Sequence, residues 1–206
     1  MLTKKQLKIL NIFQKNKFGE FSFKKIKEIS KEKSSSLLQN AIKSFLDEEL
    51  IIEKKIGTSK FYSINNKSNK VYLYFEIYNR ENLPNQVLKS IDELENSLDK
   101  HTSFYSIVIF GSYTVGEQKK DSDLDVAIFI EKEEKRKIIE AVFKSMEIKS
   151  VLNIHGHVIT KDEFLKMLKA DYENLSKEIA KKHLIIHNPN IFYSLIKKGL
   201  ENGFKL

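Results

Sequence analysis

Two short apolar runs, Tyr105 to Phe110 and Leu124 to Ile130, constrain this chain more than any other feature. Each is rich in Ile, Val and Phe and bounded by glycine or polar residues, so each reads as a buried strand. The first ends at Gly111-Ser112, and the second is opened by Asp123 and Asp125. Alternate side chains share one face of a strand, so the two aspartates are expected on the same side, roughly 6–7 Å apart along the backbone. Carboxylates at that separation can converge on divalent metal ions. The free N–H groups of a Gly-Ser turn can hold phosphate oxygens beside them. A P-loop is excluded, because Glu117-Gln118 stand where Lys-Ser/Thr must follow the second glycine, Gly116.

Gly111-Ser112, a ten-residue interval and Asp123-x-Asp125, together with Gly116 and the pair Ser122-Asp123, form one pattern. It resembles the signature of the DNA polymerase β superfamily of nucleotidyltransferases. The compact setting looks most like the minimal nucleotidyltransferases, many of which act as antitoxins beside HEPN-type toxins. The resemblance spans roughly residues 84 to 188. It implies a small mixed sheet flanked by helices and transfer of a nucleoside monophosphate, first of all AMP from ATP, to an acceptor hydroxyl. Asp123 and Asp125 would be catalytic and hold one or two Mg²⁺ ions. Gly111, Ser112 and Ser122 would hold the nucleotide phosphates. A basic residue common in relatives is replaced by Val115; Lys119 and Lys120 would supply that charge, or are solvated loop lysines. The implied acceptor is a hydroxyl on a HEPN-type toxin or other protein, with a tRNA end or a small molecule left open.

The same resemblance implies a third carboxylate on a later strand. The corresponding run, Val151 to Ile159, carries no acid. Asn153, His155 and His157 share the face where one is expected. A neutral imidazole can accept a proton or bind a metal, so His155 and His157 are candidate catalytic residues; a structural role is the alternative. His183-x-x-x-His187 has helical metal-ligand spacing but lies in a strand-like segment, and is rejected as a metal site. The missing acid leaves a second functional reading open. In it the protein is a DNA-binding regulator or antitoxin whose nucleotidyltransferase half is inert or only senses nucleotide.

The charge is divided unequally. Residues 1–83 hold 17 Lys/Arg against 9 Asp/Glu, whereas residues 84–206 hold 19 of each, so the whole net +8 lies in the first segment. Such asymmetry points to a polyanionic partner for that segment. Its pattern predicts a helix capped by Thr3 and Gln6, a short helix near Ser22 to Ser30 burying Phe23, Ile26 and Ile29, and a helix capped by Ser36 and Gln39. Strands at Leu50 to Lys55 and Lys60 to Ile64 follow. This order resembles a winged helix-turn-helix domain. On that resemblance the third helix would present Gln39, Asn40 and Lys43, with Ser35 and Ser44, to DNA bases. Lys54, Lys55 and Lys60 of the wing would meet phosphates. A docking face for protein, or for RNA, is the alternative.

The expected organisation is therefore a two-domain α+β/α/β chain. Residues 1–66 are a winged helix, 67–83 a linker, and 84–206 a nucleotidyltransferase domain with a C-terminal helical extension. No apolar run approaches the length of a membrane span, and residues 1–5 lead into an amphipathic pattern unlike a signal peptide. Zero cysteines exclude disulfides and fit a cytoplasmic location. Winged-helix proteins often pair on two half-sites, so a homodimer is compatible with the pattern.

Overall fold

The computed structural model describes residues 1–15, 19–114, 123–150 and 152–205. They divide into two compact units, Met1–Tyr78 and Asn79–Leu206. Among the described residues no helix is long and apolar enough to cross a membrane.

In the first unit, α1 (Lys4–Lys15) is followed by β1 (Phe21–Ser22), α2 (Phe23–Ser30), α3 (Ser35–Asp47) and the hairpin strands β2 (Ile51–Ile56) and β3 (Ser59–Ile64). The sheet order is β1-β3-β2, antiparallel throughout. Thr3 and Gln6 cap α1 reciprocally, as their spacing predicts. The α3 cap is Ser34, not Ser36: its hydroxyl accepts from Leu37 N–H. Three consecutive serines offer three caps. The earliest one adds helix before the buried stripe of Leu38, Ala41, Ile42 and Phe45 without shifting it.

Two further expectations differ, Ile29 in the core and Ser44 on the base-reading face of α3. Ile29 is exposed, because α2 buries only Ile26 fully. Ser44 turns toward α1, where Gln6 donates to its hydroxyl. The stretch expected as a linker, residues 67–83, holds a helix, α4 (Asn69–Asn82). Its Val71, Tyr72 and Phe75 are buried, and Lys70 and Tyr74 both engage Glu48. The unit boundary falls inside this helix, after Tyr78.

The second unit continues with α5 (Asn85–Leu98), β4 (Tyr105–Phe110), β5 (Leu124–Ile130), α6 (Arg136–Lys149), β6 (Ile154–Thr160), α7 (Lys161–Lys169), α8 (Leu175–Lys181), β7 (Leu184–His187) and α9 (Pro189–Glu201). Its four strands form a mixed sheet in the order β6-β5-β4-β7, with β5 and β6 parallel and the other pairs antiparallel. The period of two sorts β5 between two cores. Leu124, Val126, Ile128 and Ile130 pack with α5 residues Val87, Ile91, Leu94 and Leu98 and α6 residues Ile139 and Phe143. On the other face Phe129 meets Phe164 of α7 and Phe192 of α9, at 4.9 and 5.0 Å between ring centroids. Ile138 is 39% exposed, one position off the α6 stripe. Capping of α7 by Thr160 and Glu163 is reciprocal, as its spacing predicts.

Candidate active site

The site lies where β4 ends and β5 begins. All six residues of β4 are buried. The strand stops at Gly111, whose φ of +69° lies in the left-handed region that glycine enters without strain. A short 3₁₀ turn, Gly111–Thr114, follows, closed by the Thr114 hydroxyl donating to Gly111 O at 2.7 Å. Glycine is required here twice over, since a Cβ on Gly111 would overlap Asp125 Oδ2. The phosphate-cradle candidate and the carboxylate candidate are thus in direct contact.

Register fixes the neighbours of Asp125: Phe110 on β4 and His155 on β6. His157 lies opposite Ala127, two positions along the same face, with its ring 5.8 Å from that of Phe110. Asp123 joins this group. Its carboxylate accepts from the Asn153 amide, and its Oδ2 lies 3.8 Å from His155 Nε2. Asp123, Asp125, His155 and His157 are therefore brought together, around an exposed rim on one face.

Burial pushes the Asp125 carboxyl above its ordinary range. His155 and His157 oppose that rise, while the charges of Asp123 and Glu178 reinforce it. Asp125 is thus a half-buried acid whose ionised form is held at a cost. Among the described residues no group of three or more His, Asp or Glu is arranged to hold a metal ion alone. Mg²⁺, however, is commonly held by one or two protein carboxylates plus substrate phosphates and water. The donor chemistry of Asp123 and Asp125 fits that role.

Two contributors escaped the sequence reading. The sequence gives Asn153 only its face; its amide bond to Asp123 requires β6 beside β5. Glu178 sits on α8, and nothing in the linear pattern links that helix to the Asp125 carboxylate. Lys119, Lys120 and Ser122 lie outside the described residues, as do Val115 and Gly116. The rejected histidine pair has other partners. His183 is buried between Ile179 O and the Tyr193 hydroxyl, and His187 stacks on Tyr105 and lies 3.5 Å from Glu95.

In the first unit, Gln39, Asn40 and Lys43 are exposed on α3, and Lys54, Lys55 and Lys60 on the hairpin. Two of the hairpin lysines are already paired, Lys54 with Glu20 at 3.0 Å and Lys60 with Glu53 at 2.9 Å.

Against known families, residues 91–204 match the family model described as Nucleotidyltransferase domain. The matched range contains the Gly111 turn, both aspartates and the whole of β6. A protein of Methanocaldococcus jannaschii, provisionally named a protein adenylyltransferase, is 35% identical over 83 residues, covering 36% of this chain and 93% of that relative. No solved structure matches the chain.

Proposed function

The chain belongs to the nucleotidyltransferase domain family and is a nucleotidyltransferase; from that premise we propose that it transfers AMP from ATP to a protein hydroxyl. The observation that carries this reading is the register that sets Asp125 between the Gly111 turn and His155, with Asp123 on the same face. The name of the archaeal relative supports adenylyl transfer to protein.

Main-chain N–H groups of the Gly111 turn and the Ser112 hydroxyl hold the outer phosphates of the nucleotide. Asp123 and Asp125 would hold a divalent cation, and Asn153 fixes the orientation of Asp123 by its amide hydrogen bond. Mg²⁺, when bound, offsets the charge that develops on the attacking and leaving oxygens. His155 and His157 stand on the face where a third acid is expected, and a neutral imidazole there takes the proton of the acceptor hydroxyl. Pyrophosphate leaves. The full chain with α-labelled ATP, Mg²⁺ and extract of its own host tests this. The Asp123→Ala/Asp125→Ala double variant should keep its circular dichroism spectrum and lose all label transfer. Undiminished transfer by that variant would overturn the reading.

We infer further that the first unit is a winged helix that binds DNA, in an antitoxin-like pairing with a toxin of the HEPN type. Its support is the element order, the antiparallel β1-β3-β2 sheet, the exposed α3 side chains and the concentration of positive charge. Gel shifts with the promoter of its own operon at two salt concentrations test it, because affinity insensitive to salt would contradict phosphate contacts. One observation favours a second reading, a regulator that senses nucleotide without turnover: an imidazole, and no carboxylate, lies opposite Asp125. Nucleotide binding without transfer in the labelling experiment would establish it.

A further inference from the structure

The strand β6 forms one edge of the catalytic sheet. Asn153 O accepts from Leu124 N–H of β5, and main-chain direction alternates along a strand. The main-chain groups of His155, His157 and Ile159 therefore turn toward β5, and those of Gly156, Val158 and Thr160 turn outward. Two of the outward groups are satisfied at the far end of the strand. Arg136 donates to Val158 O at 2.8 Å, and Thr160 N–H donates to Glu163. The N–H and C=O of Gly156 and the N–H of Val158 have no partner among the described residues. They border a cavity of about 430 Å³ flanked by Phe143 of α6, Met167 of α7 and Leu175 of α8.

We propose that this edge is the acceptor site: an extended polypeptide segment docks against Gly156 and Val158 as an added strand and presents a side-chain hydroxyl to His155. The inference rests on the transfer reading and specifies how its acceptor binds. Neighbouring strands lie about 4.8 Å apart. An added strand places alternate side chains on the face shared by Asp125, His155 and His157, one strand beyond His155. The cavity walls Phe143, Met167 and Leu175 receive apolar side chains of the segment. The outward groups, two donors and one acceptor, match the main chain of a peptide, as in other strand-addition sites. The charged rim argues against a polyanion. It holds Glu140, Glu147 and Glu163 against Arg136 and Lys144, and Arg136 is already paired with carboxylates.

The probe is a set of twelve-residue peptides containing Tyr, Ser or Thr, selected by display on the full chain. Amide hydrogen exchange on the unmodified protein should slow about tenfold or more at Gly156 and Val158 when peptide is added. His157 and Ile159, already paired with β5, should change little. The Leu175→Trp variant, which fills the cavity, should lose about tenfold in peptide affinity, and the bound peptide should take label from α-labelled ATP. Peptide labelling with unchanged exchange at Gly156 and Val158 would overturn this edge as the acceptor site while leaving transfer intact. So would slowed exchange with a dodecauridylate RNA in place of any peptide. Alternating protection without labelling of the bound peptide would overturn the acceptor role of this edge, whereas the transfer reading stands or falls with label transfer in host extract.

Discussion

Gly111 and Asp125 share one corner of the sheet so closely that a methyl group on the first would occupy the place of the second's carboxylate. The backbone at Gly111 is also left-handed, with φ at +69°. Gly57, on the β2–β3 turn, has a similar φ of +59° but nothing near its absent Cβ.

The two glycines separate strain from displacement of the acid. Gly57→Ala should cost about 1 kcal/mol, the penalty for φ alone. Gly111→Ala should cost about 2–3 kcal/mol and reduce label transfer about 100-fold, since a reacting group is moved as well. Thermal melts and initial rates of the two variants, compared at the same protein concentration, check both statements.

Asp125 should trade stability for function. Its folded pKa is raised by burial, which outweighs the opposition of His155 and His157, with smaller additions from the Asp123 and Glu178 charges. A group of this kind favours folding fully below its unfolded pKa and loses that contribution as pH rises through the folded value. Ionised Asp125 therefore weakens the fold at neutral pH. Asp125→Asn should melt a few degrees higher at pH 7 while transfer falls to background. Glu178→Gln should lower the Asp125 titration only slightly, because burial is the larger cause of its rise, and carboxyl carbon NMR reads that difference.

Glu95 gives the opposite sign. Burial pushes its carboxyl up, but hydrogen bonds from His187 and Arg80 outweigh that and hold it below the ordinary 4.5. The Arg80 contact is 2.6 Å. The stabilisation is fully present above the unfolded pKa and disappears as pH falls through the lowered folded value. Glu95→Gln should be less stable by about 1–2 kcal/mol at pH 7. Denaturant titrations should show that gap closing below pH 4.5.

The proposal that the first unit binds DNA predicts unequal contributions from individual lysines. Lys43→Gln should lower the salt slope by about 1, the loss of one phosphate contact. Lys54→Gln should lower it less, because Glu20 already holds that ammonium. Fluorescence anisotropy of labelled promoter DNA over a salt series reads both slopes.

Local pattern sufficed for the strands β4 and β5, for the common face of Asp123 and Asp125, and for the order of helices and hairpin in the first unit. These follow from periods of two and 3.6 that repeat within a few residues. Caps were legible where one arrangement of side chains was available, as at Thr3 and Gln6, and misplaced where Ser34, Ser35 and Ser36 competed. The stretch expected as a linker forms α4, whose Lys70 and Tyr74 both engage Glu48, a partner more than twenty residues earlier in the chain. Only the tertiary structure set His155 opposite Asp125, turned the Asn153 amide onto Asp123 and brought the charge of Glu178 to bear from α8. The physical reason is that pairing register and helix docking join residues far apart in the chain. Local periodicity says which face a side chain takes, and it carries no information about which distant strand will lie beside it.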